Sequence, residues 1–102
     1  MSIFQLFGKR MSLEEGLEKA KSTPDAVILD VRTEQEYRSG HVPGSKNIPL
    51  DKIETISIPK NQPLFVYCLS GARAGRACSI LEKKGYTATN IGGISERKQL
   101  EN

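Results

Sequence analysis

Cys68 ends a short apolar run, Val66-Tyr67-Cys68, and leads into Leu69-Ser70-Gly71-Ala72-Arg73. These residue types suit thiolate chemistry. A loop of small residues can turn several backbone N–H groups toward one point, and Gly71 tolerates the backbone angles that such a curl needs. A helix starting after the loop adds about half a positive charge at its N-terminus, and Arg73 adds a full one. All three favour the thiolate, which is the reactive form of cysteine. The alternative is a small buried residue at a strand end, a common place for cysteine. Polar Ser70 and charged Arg73 make a poor core setting, so the nucleophile is favoured. Cys78 weighs the other way. It shares a helical face with Ala74 and Leu81 and reads as core. Two helical turns would put it ~9 Å further along the axis, beyond disulfide reach of Cys68.

His41 lies in Gly40-His41-Val42-Pro43-Gly44, which looks like a turn, where histidine usually makes local hydrogen bonds. A Cys–His pair is the other reading. Two distant cysteines and a single histidine do not make a four-ligand zinc site. No metal and no cofactor are expected.

The elements that must position these residues follow from periodicity. Ser12-Leu13-Glu14-Glu15 is a capping box, and Leu13, Leu17 and Ala20 share one face of a helix ending near Lys21. Ala26 to Val31 is a nearly continuous apolar run and reads as a buried strand. Thr33-Glu34-Gln35-Glu36 is a second capping box, opening a short helix that stops at Gly40. Lys46 to Ile48 reads as a short strand, and Leu50, Ile53 and Ile56 as a short helix. Leu64 to Tyr67 is a further buried strand. Ala74, Ala77, Cys78 and Leu81 mark a helix from Ala72 to Lys84, with Gly85 as its stop. Tyr86 to Asn90 reads as a strand, Gly92-Gly93 as a turn and Ile94 to Leu100 as a weak terminal helix. Strands alternating with helices imply an α/β fold in three layers, with a mostly parallel sheet covered on both faces. Ligands of such folds bind at the carboxyl ends of the strands, where Cys68 stands.

The chain of 102 residues reads as one domain, 1–102. Its 37% hydrophobic and 26% charged residues argue against disorder. A net charge of +3, with its 15 Lys and Arg scattered, favours small anions slightly and does not call for nucleic acid. The apolar stretch Ile3 to Phe7 is too short for a signal segment, and Lys9 and Arg10 follow it rather than precede it. No run approaches the ~18 apolar residues of a membrane span. A cytoplasmic, reducing location is expected, where a cysteine is more often free or catalytic than bridged.

Two motifs resemble the single-domain rhodaneses, a family of sulfurtransferases. The first runs from Asp30-Val31-Arg32-Thr33 through Glu36-Tyr37 and Gly40-His41-Val42-Pro43-Gly44-Ser45 to Asn47-Ile48-Pro49. The second is Val66-Tyr67-Cys68 with Ser70-Gly71 and Arg73-Ala74. The resemblance covers about residues 12 to 93. The resemblance implies a five-stranded parallel sheet with helices on both sides. It implies that Cys68 accepts a sulfane sulfur from thiosulfate or a persulfide donor, a sulfur-carrying protein included, and passes it to cyanide or a thiol. The amides from Leu69 through Ser70, Gly71 and Ala72 to Arg73 would hold the persulfide, and Arg73 would bind the anionic donor. Arg32 is a further substrate-binding candidate. Its other reading, favoured because arginine suits carboxylates, is a bridge to Asp30 or Glu36 that locks the strand-to-helix turn.

Loop length discriminates within the superfamily. Phosphatases that form a cysteinyl phosphate use Cys-x5-Arg, whereas Arg73 is the fifth residue after Cys68, giving Cys-x4-Arg. The shorter loop suits a sulfur atom and is tight for a phosphoryl group. A phosphatase also needs a general acid, and no Asp or Glu lies near the loop in sequence. The leading reading is a sulfurtransferase. The alternatives are a weakly catalytic or non-catalytic module acting as a sulfur relay or protein-binding domain, and a phosphatase or arsenate reductase. The chain lacks the Trp that many members carry after the Gly-Gly pair, and a single domain of this family implies that the donor binds in an open, shallow pocket.

Overall fold

A computed structural model describes residues 11–96. The apolar stretch Ile3 to Phe7 and the end of the helix expected to reach Leu100 lie outside these residues. The elements run α1 (Leu13–Lys21), β1 (Val27–Asp30), α2 (Glu34–Arg38), β2 (Lys46–Asn47), a 3-10 helix (Leu50–Thr55), β3 (Leu64–Cys68), α3 (Ala72–Lys83), β4 (Ala88–Gly93) and a second 3-10 helix (Ile94–Glu96).

Both capping boxes form. The Ser12 side chain accepts from the Glu15 amide, and Thr33 from the Glu36 amide, while each glutamate reaches back to the cap. Each such cap is worth about 1 kcal/mol. The four strands are all parallel, in the order β2-β1-β3-β4. The described residues therefore form four strands, not the five implied by the resemblance. The last strand also lies later than periodicity suggested, at Ala88–Gly93 rather than Tyr86 to Asn90. The Gly92-Gly93 pair expected to turn instead continues it. Small residues carry no hydrophobic period, so the sequence pattern was silent there.

β3 is the middle of the molecule, with all five of its residues buried. Alternation along it divides the core. Leu64, Val66 and Cys68 join Leu29, Val31, Ala74, Ala77 and Leu81 on the α3 side. Phe65 and Tyr67 join Leu13, Leu17, Val42 and Ile91 on the α1 side. Successive strand side chains point to opposite faces, so this parity alone commits the Cys68 sulfur to the α3 face. No described helix is long and apolar enough to cross a membrane.

Candidate active site around Cys68

The carboxyl end of β3 delivers Cys68 to the N-terminus of α3 across the three-residue loop Leu69-Ser70-Gly71. Gly71 sits at φ 106°, a left-handed conformation that glycine adopts without steric cost. That turn brings its N–H to 3.0 Å from Cys68 Sγ, to which it donates. The Ala74 N–H donates to the same sulfur at 3.3 Å. α3 carries no acidic residue in its first turn, so nothing there opposes the field of its N-terminus. A negative charge on Cys68 thus meets two amides and the positive end of a twelve-residue helix. Cys68 itself is 1% exposed, and Leu69 and Ser70 stand exposed above it.

Of the candidate loop residues, Gly71 donates its amide to the sulfur, and the other amide donor to it is Ala74. Ala74 was missed because it lies inside the helix. A helix start at Ala72 places the Ala74 amide among the first-turn N–H groups that have no helical partner, and that spacing was the available signal.

The loop is held from beneath by β4. Asn90 Nδ2 donates to the Gly71 carbonyl at 3.1 Å, and the Gly92 N–H holds Asn90 Oδ1 at 2.8 Å. The Ser95 N–H donates to the Leu69 carbonyl at 3.1 Å. Gly93 pairs with Cys68 after an irregularity in the β3–β4 register. A methyl group there would overlap the Leu69 carbonyl and come within 2.6 Å of Ser70 Cα. Neither Asn90 nor Gly93 stood out in the sequence as a support of the loop. Both act through backbone groups some twenty residues away, which no local pattern reports.

Arg73 projects from the first turn of α3 and is one-third exposed. It forms a two-pronged ion pair with Glu36, Nη1 to Oε1 at 2.8 Å and Nη2 to Oε2 at 3.0 Å. The Arg73 hydrogen bond holds the Glu36 carboxyl down at about 2, against an ordinary value of 4.5. So a carboxylate does lie beside the loop in space, although none does in sequence. It is fully ionised at neutral pH and cannot serve as a general acid.

Arg32 is corrected. It is 4% exposed, and its Nε and Nη2 grip the Asp30 carboxylate, with Nη2 to Oδ2 at 2.7 Å. The same Nη2 donates to the Gly40 carbonyl at 2.7 Å. Its Nε and Nη2 are thus taken up by three acceptors of the protein itself. It fixes the turn after β1, as the bridging reading required, with Asp30 and not Glu36 as partner. His41 stacks on Tyr37 at 3.8 Å and its Nδ1 lies 2.8 Å from the Tyr37 carbonyl, a local role. Cys68 and Cys78 are both free. Burial pushes the Cys78 thiol up to about 12, which makes it a poor nucleophile. No group of residues suited to a metal occurs among the described residues.

Beside the loop lies a cleft of ≈ 470 Å³ lined by Val31, Thr33, Pro49, Leu50, Asp51, Arg73, Arg76 and Ile80. Val31, the residue after β1, lines it and belongs to the same core cluster as Cys68.

Comparison with known proteins agrees with this architecture. The family model described as a rhodanese-like domain matches residues 13–99. The thiosulfate sulfurtransferase PspE of Escherichia coli is 40% identical over 73 residues, covering 67% of this chain and 70% of that protein. The putative sulfur carrier protein YrkF of Bacillus subtilis is 35% identical over 78 residues, 74% of this chain but 42% of that protein. A crystal structure of a rhodanese-like domain protein from Staphylococcus aureus superposes with a TM-score of 0.79 at 31% identity, covering 90% of this chain and 95% of that one. With the sheet, the cysteine loop and its arginine in place, this chain belongs to the rhodanese-like domain family.

Proposed function

We propose that the protein is a sulfurtransferase and that Cys68 is its sulfur carrier. The observation that carries this reading is the pair of amides, Gly71 and Ala74, aimed at Sγ. They stabilise negative charge on sulfur without supplying a proton, as a thiolate nucleophile and a persulfide anion both require. The Cys68 thiolate attacks the outer sulfur of thiosulfate, a Cys68 S–S bond forms, and the S–S bond of thiosulfate breaks. Sulfite leaves with the bonding pair, so charge balances without an added oxidant or reductant. A thiol or cyanide then takes the outer sulfur, returning the thiolate. In this reading Arg73, one-third exposed on the first turn of α3, binds the anionic donor.

A second reading, a sulfur relay with slow turnover on small anions, draws on the Glu36 carboxylate that already occupies Arg73. It is also in keeping with the sulfur-carrier name of the Bacillus subtilis relative. Intact mass after incubation with thiosulfate separates the cases. Wild type gains one sulfur mass that cyanide removes, and Cys68→Ser gains none. Persulfide formation with negligible steady-state turnover selects the relay. No gain on wild type with any sulfane donor removes Cys68 as a carrier.

A further inference from the structure

The cleft beside the loop is far larger than a small inorganic anion fills. Its volume of ≈ 470 Å³ lies in the range of sites for organic molecules. Its walls are apolar at Val31, Pro49, Leu50 and Ile80. Two of its charged residues face no ion-pair partner among the described residues: Asp51, on the first 3-10 helix, and Arg76, on α3. Both are exposed at the cleft surface. The third, Arg73, is neutralised by Glu36, and the nearby Glu54 is paired with Lys84. The free charges at the cleft are therefore one cation on one wall and one carboxylate on the other.

Resting on the sulfurtransferase reading, we propose that this cleft binds the sulfur acceptor, and that the acceptor is a small zwitterionic thiol of the amino-acid class. Arg76 takes its carboxylate, Asp51 its ammonium group, and the apolar walls its carbon chain. Val31 of the cleft and Cys68 lie on one face of the sheet, and Arg73 of the cleft wall directly follows the Cys68 loop; the acceptor thiol approaches Sγ from this side. Its thiolate attacks the outer sulfur of the Cys68 persulfide. A new S–S bond forms on the acceptor, the Cys68 S–S bond breaks, and Cys68 leaves as thiolate.

Four thiols dissect the site: cysteine carries both charges, N-acetylcysteine only the carboxylate, cysteamine only the ammonium, and 2-mercaptoethanol neither. With thiosulfate as donor, Arg76→Ala raises KM for cysteine and N-acetylcysteine about fivefold, the scale of one exposed charge pair. It shifts KM for the other two by less than about twofold. Asp51→Asn raises KM for cysteine and cysteamine instead. Arg76→Lys recovers most of the loss, and added salt weakens every effect. A purely structural role would move all four thiols together. Uniform changes, or none, overturn the proposal while persulfide formation on wild type keeps the sulfurtransferase reading standing. Absence of that persulfide overturns both.

Discussion

At the residue scale, Arg73 and Glu36 make opposed predictions. If thiosulfate meets Arg73, then Arg73→Ala raises KM for thiosulfate about tenfold, the loss of one charge-assisted contact, with circular dichroism unchanged. Glu36 competes for the same guanidinium, so Glu36→Gln lowers that KM about threefold. Glutamine is accepted at this position of a capping box, so the start of α2 survives. A rise in KM for Glu36→Gln would instead make the carboxylate an orienting partner of Arg73. The ion pair also carries a pH signature. The carboxyl is held at about 2 when folded and returns to 4.5 when unfolded. The stabilisation is therefore full above about pH 4.5 and is lost as pH falls from there toward about 2. The full lowering corresponds to ~3 kcal/mol, but a carboxylate one-third exposed is screened, which reduces it to about 1 kcal/mol. The urea midpoint of wild type should exceed that of Glu36→Gln at neutral pH, and the gap should narrow as pH falls below 4.5 and close only below about pH 2. A gap independent of pH would mean that the pair adds nothing.

At the scale of the elements, the Cys68 loop depends on β4. Only a residue without a side chain can pass beneath Leu69 and Ser70. Gly93→Ala should push the loop away from the sulfur and slow the gain of sulfur mass about tenfold or more, the loss of one or more amide contacts to a charged sulfur. The accompanying loss of stability should be about 1–3 kcal/mol, the usual effect of overpacking. An unchanged rate of persulfide formation would show that the Gly71 and Ala74 amides are not held by this contact.

At the scale of the whole molecule, the polar cluster at the end of β1 joins the two halves of the chain. Asp30 is fully buried and grips Arg32. Arg32 ties Gly40, the Asn47 side chain ties the carbonyls of Asp30 and Arg32, and the Tyr67 hydroxyl accepts from the Val42 N–H. Burial raises the Tyr67 hydroxyl well above its ordinary value, so it stays neutral in this role. Asp30→Ala would leave a buried guanidinium without its counter-charge and should destabilise the fold by about 3 kcal/mol. Urea unfolding measures this, and a loss under about 0.5 kcal/mol would contradict the assignment of Arg32 to the framework.

Much of this was legible in the chain itself. The two capping boxes mark helix starts because the cap and its glutamate lie three residues apart. The apolar runs at β1 and β3 mark buried strands because a sheet covered on both faces needs no polar alternation. Cys68, Gly71 and Arg73 were legible for the same reason: strand end, loop and helix start are contiguous, so one short stretch describes most of the sulfur's surroundings. The tertiary structure decided the rest, wherever partners lie far apart in sequence. It gave Glu36 to Arg73 across 37 positions and left Arg32 with Asp30. It set Asn90 and Gly93 beneath the loop, and it opened the cleft between α3 and the first 3-10 helix. Local pattern encodes which backbone conformation a segment adopts. Which carboxylate meets which guanidinium depends on how the packed layers bring distant segments together, and only the assembled sheet and helices determine that.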